Sequence, residues 1–106
     1  MYKLKISSTF VNMVENIISY YALYSIKYSC NIRVSIYNAI NILETYPYAF
    51  QQISSQSALR KCVIKGRFSI IYKIEQDEVE LLYFLDSRRL NNSYVVEEEK
   101  ELYYVC

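Results

Sequence analysis

The sequence predicts an α+β domain in the order β-α-α-β-β-β, with a helical hairpin packed on a mostly antiparallel sheet. Three observations predict it. Apolar residues recur at helical spacing from Phe10 to Leu43, and the pattern stops just before the only proline, Pro47. Residues 59–85 form apolar runs punctuated by the only glycine, Gly66, and by the polar pair Gln76-Asp77. Ahead of the helices, residues 2–6 alternate between apolar and basic.

The alternation places Tyr2, Leu4 and Ile6 on one face of a half-buried strand, with Lys3 and Lys5 on the other. Ser7, Ser8 and Thr9 then offer helix N-caps. Phe10, Val14, Ile17, Ile18 and Tyr21 set the core face of a first helix ending near Leu23 or Tyr24. A second helix is expected from Ile26 or Lys27 to Thr45, with Ile32, Ile36, Ala39, Ile40 and Leu43 inward. Tyr46 is biased away from helical geometry by Pro47 and marks the stop. Residues 47–57 read as a polar, uncharged loop. Strands follow at 59–64, 68–75 and 78–85, the first two joined by a hairpin turn in which Gly66 supplies positive φ. Tyr72, among isoleucines, is expected in the core. Residues 91–106 form a C-terminal extension of the single domain 1–106. Asn91-Asn92-Ser93 reads as a turn or cap, Tyr94-Val95-Val96 as a possible strand extension, and residues 97–104 as helix or strand.

Bulk properties narrow the function. A hydrophobic fraction of 53% over 106 residues is enough for a real core. No run of about 18 apolar residues is present to span a bilayer, and the N-terminal stretch has no long apolar segment of the signal-peptide kind. A cytoplasmic protein that does not engage membranes is expected. Histidine is absent, which removes the commonest general base and every Ser-His or Cys-His arrangement. Cys30, Cys62 and Cys106 are widely spaced and make a poor zinc site, so reduced thiols are expected, with no metal and no cofactor. The acidic group Glu75, Asp77, Glu78 and Glu80 reads as a solvated rim.

Charge is segregated along the chain. Arg60, Lys61, Lys65, Arg67 and Lys73 occur with no acid between them, and Arg88-Arg89 follow the last strand, although the formal net charge is only +1. Such a surface faces an anionic partner, either a nucleic acid or an acidic protein. Arg88, Arg89, Arg60, Lys61 and Arg67 are the candidate binding residues.

The same stretch carries a pattern. Phe68-Ser69-Ile70-Ile71-Tyr72-Lys73-Ile74 is followed by the acidic turn Gln76-Asp77-Glu78, by an apolar strand, and by Arg88-Arg89. The preceding half ends in Leu43-x-x-Tyr46-Pro47. In order and spacing, over roughly residues 2–90, the chain resembles the RelE/ParE toxin superfamily. The resemblance implies the toxin half of a type II toxin–antitoxin, plasmid-stabilising module, with a cognate antitoxin as partner. A ParE-like member inhibits DNA gyrase by binding. A RelE-like member is a ribosome-dependent mRNA endoribonuclease. An inactive interaction protein of the same fold is a third reading. For a nuclease, the resemblance implies catalytic roles for Arg89, Arg60 and Tyr94. The strand arginine of RelE-like nucleases is replaced here by Ser69, and a position that holds histidine in several nuclease branches is Asp86. One lost cation beside a developing dianion removes several kcal/mol of transition-state stabilisation. The ParE-like reading is therefore preferred, with Arg67 as a substitute cation in the nuclease case.

Overall fold

The computed structural model describes residues 1–87. Arg88, Arg89, Tyr94 and the rest of the 91–106 extension lie outside the described residues. The elements are β1 (Lys3–Ile6), α1 (Ser8–Ala22), α2 (Ile26–Thr45), a 3-10 turn (Pro47–Ala49), β2 (Leu59–Ile64), β3 (Phe68–Glu75) and β4 (Glu78–Asp86). The strands form one sheet in the order β1-β4-β3-β2. β2, β3 and β4 are antiparallel neighbours, whereas β1 runs parallel to β4. The helical hairpin is the crossover that a parallel pair requires.

Both helices begin at serines that accept a hydrogen bond from a backbone N–H three residues on: Ser7 from Phe10 and Ser25 from Tyr28, each at 3.0 Å. α2 stops where Tyr46 leaves helical geometry ahead of Pro47. Segment 47–57 is more ordered than a plain loop. It opens with the 3-10 turn, and Gln52 forms a bridge with Arg60 that covers part of the β2 edge.

One sheet face carries the core. Phe10, Val14 and Ile18 of α1 and Ile32, Ile36, Ala39 and Leu43 of α2 pack on Cys62, Ile64, Phe68, Ile70, Tyr72, Val79, Leu81 and Phe84. Each buried large apolar side chain contributes about 1.5–3 kcal/mol. Tyr72 is fully buried, and its hydroxyl donates to the Pro47 carbonyl at 2.6 Å, which satisfies the one polar atom it brings inside. Ile6, expected on the buried side with Tyr2 and Leu4, is 46% exposed because it ends the edge strand. The β2–β3 turn holds Lys65 as well as Gly66 at positive φ (55° and 70°), the geometry of a type I′ hairpin. Cys62 is a buried free thiol, as expected from the sequence. No helix among the described residues is long and apolar enough to cross a membrane.

Candidate functional site

The helices cover one face of the sheet, and no element among the described residues covers the opposite, open face. Register defines its rows. Val63, Ser69 and Leu85 lie side by side across β2, β3 and β4, and Lys61, Ile71 and Tyr83 form the next row. Leu59, Lys73, Glu80 and Lys5 form the third. Val63, Tyr83 and Leu85 are each between 43% and 52% exposed, while Ile71 between Lys61 and Tyr83 is only 4% exposed, so this face carries accessible apolar side chains around a buried isoleucine. Its cations sit at the margin. Lys73 Nζ lies 3.8 Å from Glu80 and 4.0 Å from Glu75, which ties part of the expected acidic rim into weak surface pairs.

A bulge in β4 decides which side chains reach which face. Tyr72 pairs with Leu81 and Ile71 with Tyr83, leaving Leu82 as the extra residue. Ser7 holds the bulge, its N–H donating to the Leu81 carbonyl and its hydroxyl to the Leu82 carbonyl at 3.1 Å. Beyond the bulge the alternation is reset. Phe84 and Asp86 point to the helices, while Tyr83 and Leu85 point to the open face.

The arginines of the basic stretch lie on the helix side. Arg60, paired with core residue Tyr72, donates to the Phe50 carbonyl at 2.6 Å and stacks 5.0 Å over the Tyr48 ring. Arg67 leaves the hairpin turn toward the helices. It donates to the Tyr28 hydroxyl and lies 5.7–5.8 Å from the rings of Tyr21, Tyr28 and Phe68. Beneath it, the Tyr21 hydroxyl donates to Asp86 at 2.5 Å. Burial, then the hydrogen bond to Asp86, pushes the Tyr21 phenol up to about 12. The hydrogen bond from Arg67 to Tyr28 raises the guanidinium further above its already high range. Burial pushes the Cys62 thiol up to about 11, which keeps it protonated and unreactive at neutral pH.

The structure thus separates the candidates. Lys61 is on the open face. Arg60 and Arg67 are on the other side, at opposite ends of the sheet, and neither adjoins Ser69, whose row neighbours are Val63 and Leu85. Arg88, Arg89 and Tyr94 fall outside the described residues; Asp86, just upstream of the arginine pair, is anchored at the Arg67 end. Tyr83 on the open face and the Tyr21–Asp86–Arg67–Tyr28 network were not singled out from sequence. Tyr83 lies in an unbroken apolar run, and only the bulge turns it outward. Among the described residues no cluster of three or more potential metal-ligating side chains occurs.

No protein-family model matches the chain. No curated protein matches it either. Solved structures do match. A chain of the chromosomal ParDE TA system from P. aeruginosa superposes with a TM-score of 0.69 at 15% identity, covering 81% of this chain and 96% of that one. A copper-bound mutant toxin from Helicobacter pylori gives a TM-score of 0.63 at 18% identity, covering 86% of this chain and all of the other. The solution structure of a conserved hypothetical protein from Helicobacter pylori gives 0.55 at 18% identity with the same coverage. The helical hairpin on a β1-β4-β3-β2 sheet is therefore a fold similar to that of RelE/ParE-type toxin–antitoxin proteins.

Proposed function

We propose that the protein is the toxin of a toxin–antitoxin pair and that it acts by binding its target, of the DNA gyrase class, rather than by cleaving RNA. The observation that carries this reading is the open face. Its accessible side chains are Val63, Ser69, Tyr83 and Leu85, a surface suited to packing against a protein. The position at which RelE-like nucleases place an arginine is a serine between two apolar neighbours. Arg88 and Arg89, which follow β4 in sequence, serve in this reading as target contacts, since guanidinium groups pair with carboxylates or phosphates. A cognate antitoxin with acidic and apolar side chains covers the same face, its segment folding on binding.

Induced expression in a bacterial host, followed by parallel assays of DNA supercoiling and of ribosome-bound mRNA, tests this. Growth arrest with loss of supercoiling and intact mRNA is expected, and Arg88→Ala/Arg89→Ala should abolish the arrest. Codon-specific mRNA cleavage with normal supercoiling would instead establish the nuclease reading. That second reading draws on one observation: Lys61 and Tyr83 flank Ile71 on the open face, bringing a cation and a phenol to one side.

A further inference from the structure

The outward face of α2 carries no charged side chain along its last three turns. From Val34 to Leu59 the only charged residue is Glu44, in a chain that is 22% charged. Ile32, Ile36, Ala39 and Leu43 of α2 are buried in the core. Val34, Tyr37, Asn38, Asn41, Ile42 and Thr45 are exposed, and at about 3.6 residues per turn they fall within one arc of about 140° on the side away from that core. Tyr37 is 70% exposed, Val34 55% and Ile42 46%. The nearest charges on α2 lie beside this stripe: Glu44 is half-buried, and Arg33 pairs with Glu15 of α1 at 3.2 Å.

The chemistry of the stripe suits a copy of itself. In a twofold contact the same surface meets itself, so a carboxylate or guanidinium near the axis would face its own charge. The polar side chains here are two amides and a hydroxyl, each both donor and acceptor, so like can pair with like. Depletion of charge around an exposed tyrosine is also the composition of an interface core. An acidic segment, such as the antitoxin proposed above, would find no cation on the stripe.

We propose that the protein self-associates through α2, with the stripe of one copy packed antiparallel on that of a second. A twofold axis midway between Asn38 and Asn41 sets Asn38 against Asn41 of the second copy, Tyr37 against its Ile42 and Val34 against its Thr45. All six exposed residues of the stripe then have partners. The contact runs for about 17 Å along the helix, small for a stable interface, so a dissociation constant of about micromolar order is expected. It uses the back of the helical hairpin, leaves the open sheet face free, and does not depend on the target assigned above.

Sedimentation equilibrium of the full chain in a thiol reductant, at about 1–200 μM, tests it. The mass should rise from monomer to dimer with concentration. Asn38→Lys and Asn41→Asp each bring like charges together about the axis, and each alone should weaken the dimer by about tenfold or more. Mixed in equal amounts, the two variants set a cation against a carboxylate and should associate more tightly than either alone. Tyr37→Ala should weaken the dimer by about tenfold. Leu23→Ala, at a 67% exposed position after α1 and off the stripe, should leave it unchanged. All of these positions are exposed, so the variants should keep the circular dichroism of the wild type. A monomer at every concentration, a dimer indifferent to the stripe variants, an equal loss from Leu23→Ala, or a mixture no tighter than its components would each overturn the proposal.

Discussion

Two phenols, those of Tyr21 and Tyr72, govern how the fold responds to alkali. Tyr21 donates to the buried Asp86, Tyr72 donates to the Pro47 carbonyl, and both titrate near 12 instead of 10. For Tyr72 the cause is burial first, with the neighbouring Cys62 adding to it. In the unfolded chain both phenols ionise near pH 10, so the folded state binds more protons above that pH. Their contribution is fully present below pH 10 and is lost as pH rises from about 10 to about 12. Melting temperature should fall steeply across that window, and Tyr21→Phe should flatten the fall, as thermal melts at stepped pH would show. A variant melting curve parallel to the wild type would remove Tyr21 from this role. Tyr72→Phe leaves the Pro47 carbonyl without its donor in a buried setting and should cost about 1–3 kcal/mol in a denaturant melt at neutral pH. These phenols were only partly legible in the sequence. Tyr72 stood out as core by its isoleucine neighbours and Tyr21 by its helical spacing, but nothing local marks the partner of Tyr21 or distinguishes Tyr28 among thirteen tyrosines. Their partners, Asp86 and Arg67, are 65 and 39 residues away in the chain.

Among the elements, the two helix caps look alike in sequence and differ in three dimensions. Ser25 caps α2 at an exposed turn. Ser7 caps α1 and also ties β1 to the β4 bulge through the Leu82 carbonyl. Ser25→Ala should cost about 0.5–1 kcal/mol, the ordinary loss of a cap. Ser7→Ala should cost about 1 kcal/mol more, because a partly buried carbonyl loses its donor as well. Equal losses in urea melts would show that the bulge does not depend on Ser7. The strand boundaries of β2 and β3 follow directly from the apolar runs and the Gly66 turn. The bulge does not, since the run Leu81-Leu82-Tyr83-Phe84-Leu85 is apolar at every position and supplies no alternation from which to read a reset. The open face was for this reason partly invisible in the sequence, and a new arginine at Ser69 would stand between Val63 and Leu85, not beside Arg60. In a protein-docking face, Ser69→Arg brings a charge among apolar side chains. It should weaken inhibition of supercoiling by about tenfold, or about 1.4 kcal/mol. A gain of ribosome-dependent mRNA cleavage by the same variant would show that the face meets RNA and would sink the binding reading.

Across the whole molecule, the basic stretch from Arg60 to Lys73 divides. Lys61 and Lys73 border the open face, Arg60 is held near Tyr48, and Lys65 with Arg67 joins the tyrosine-rich end. A linear count of charge could not foresee this, because alternation sends neighbouring residues to opposite faces and the hairpin turn sends others to the far end. Helix order, strand order along the chain and nearly all of the core were legible, because periodicity reports burial directly. The parallel pairing of β1 with β4 was not, because it depends on how the helical hairpin crosses the sheet. That pairing leaves a face with exposed apolar side chains and lysines at its margins. If the proposed antitoxin covers this face and binds only the folded state, a free antitoxin concentration about 100-fold above Kd should add about 2.7 kcal/mol of stability and raise the melting temperature correspondingly. Amide exchange measured with and without antitoxin locates the contact. Protection should appear along β1, β2 and the 83–86 half of β4, while the outer surface of α2 around Val34 and Tyr37, which is also exposed, should exchange as in the free protein. Protection confined to α2 would place the antitoxin on the back of the helical hairpin and leave the open face for the target alone.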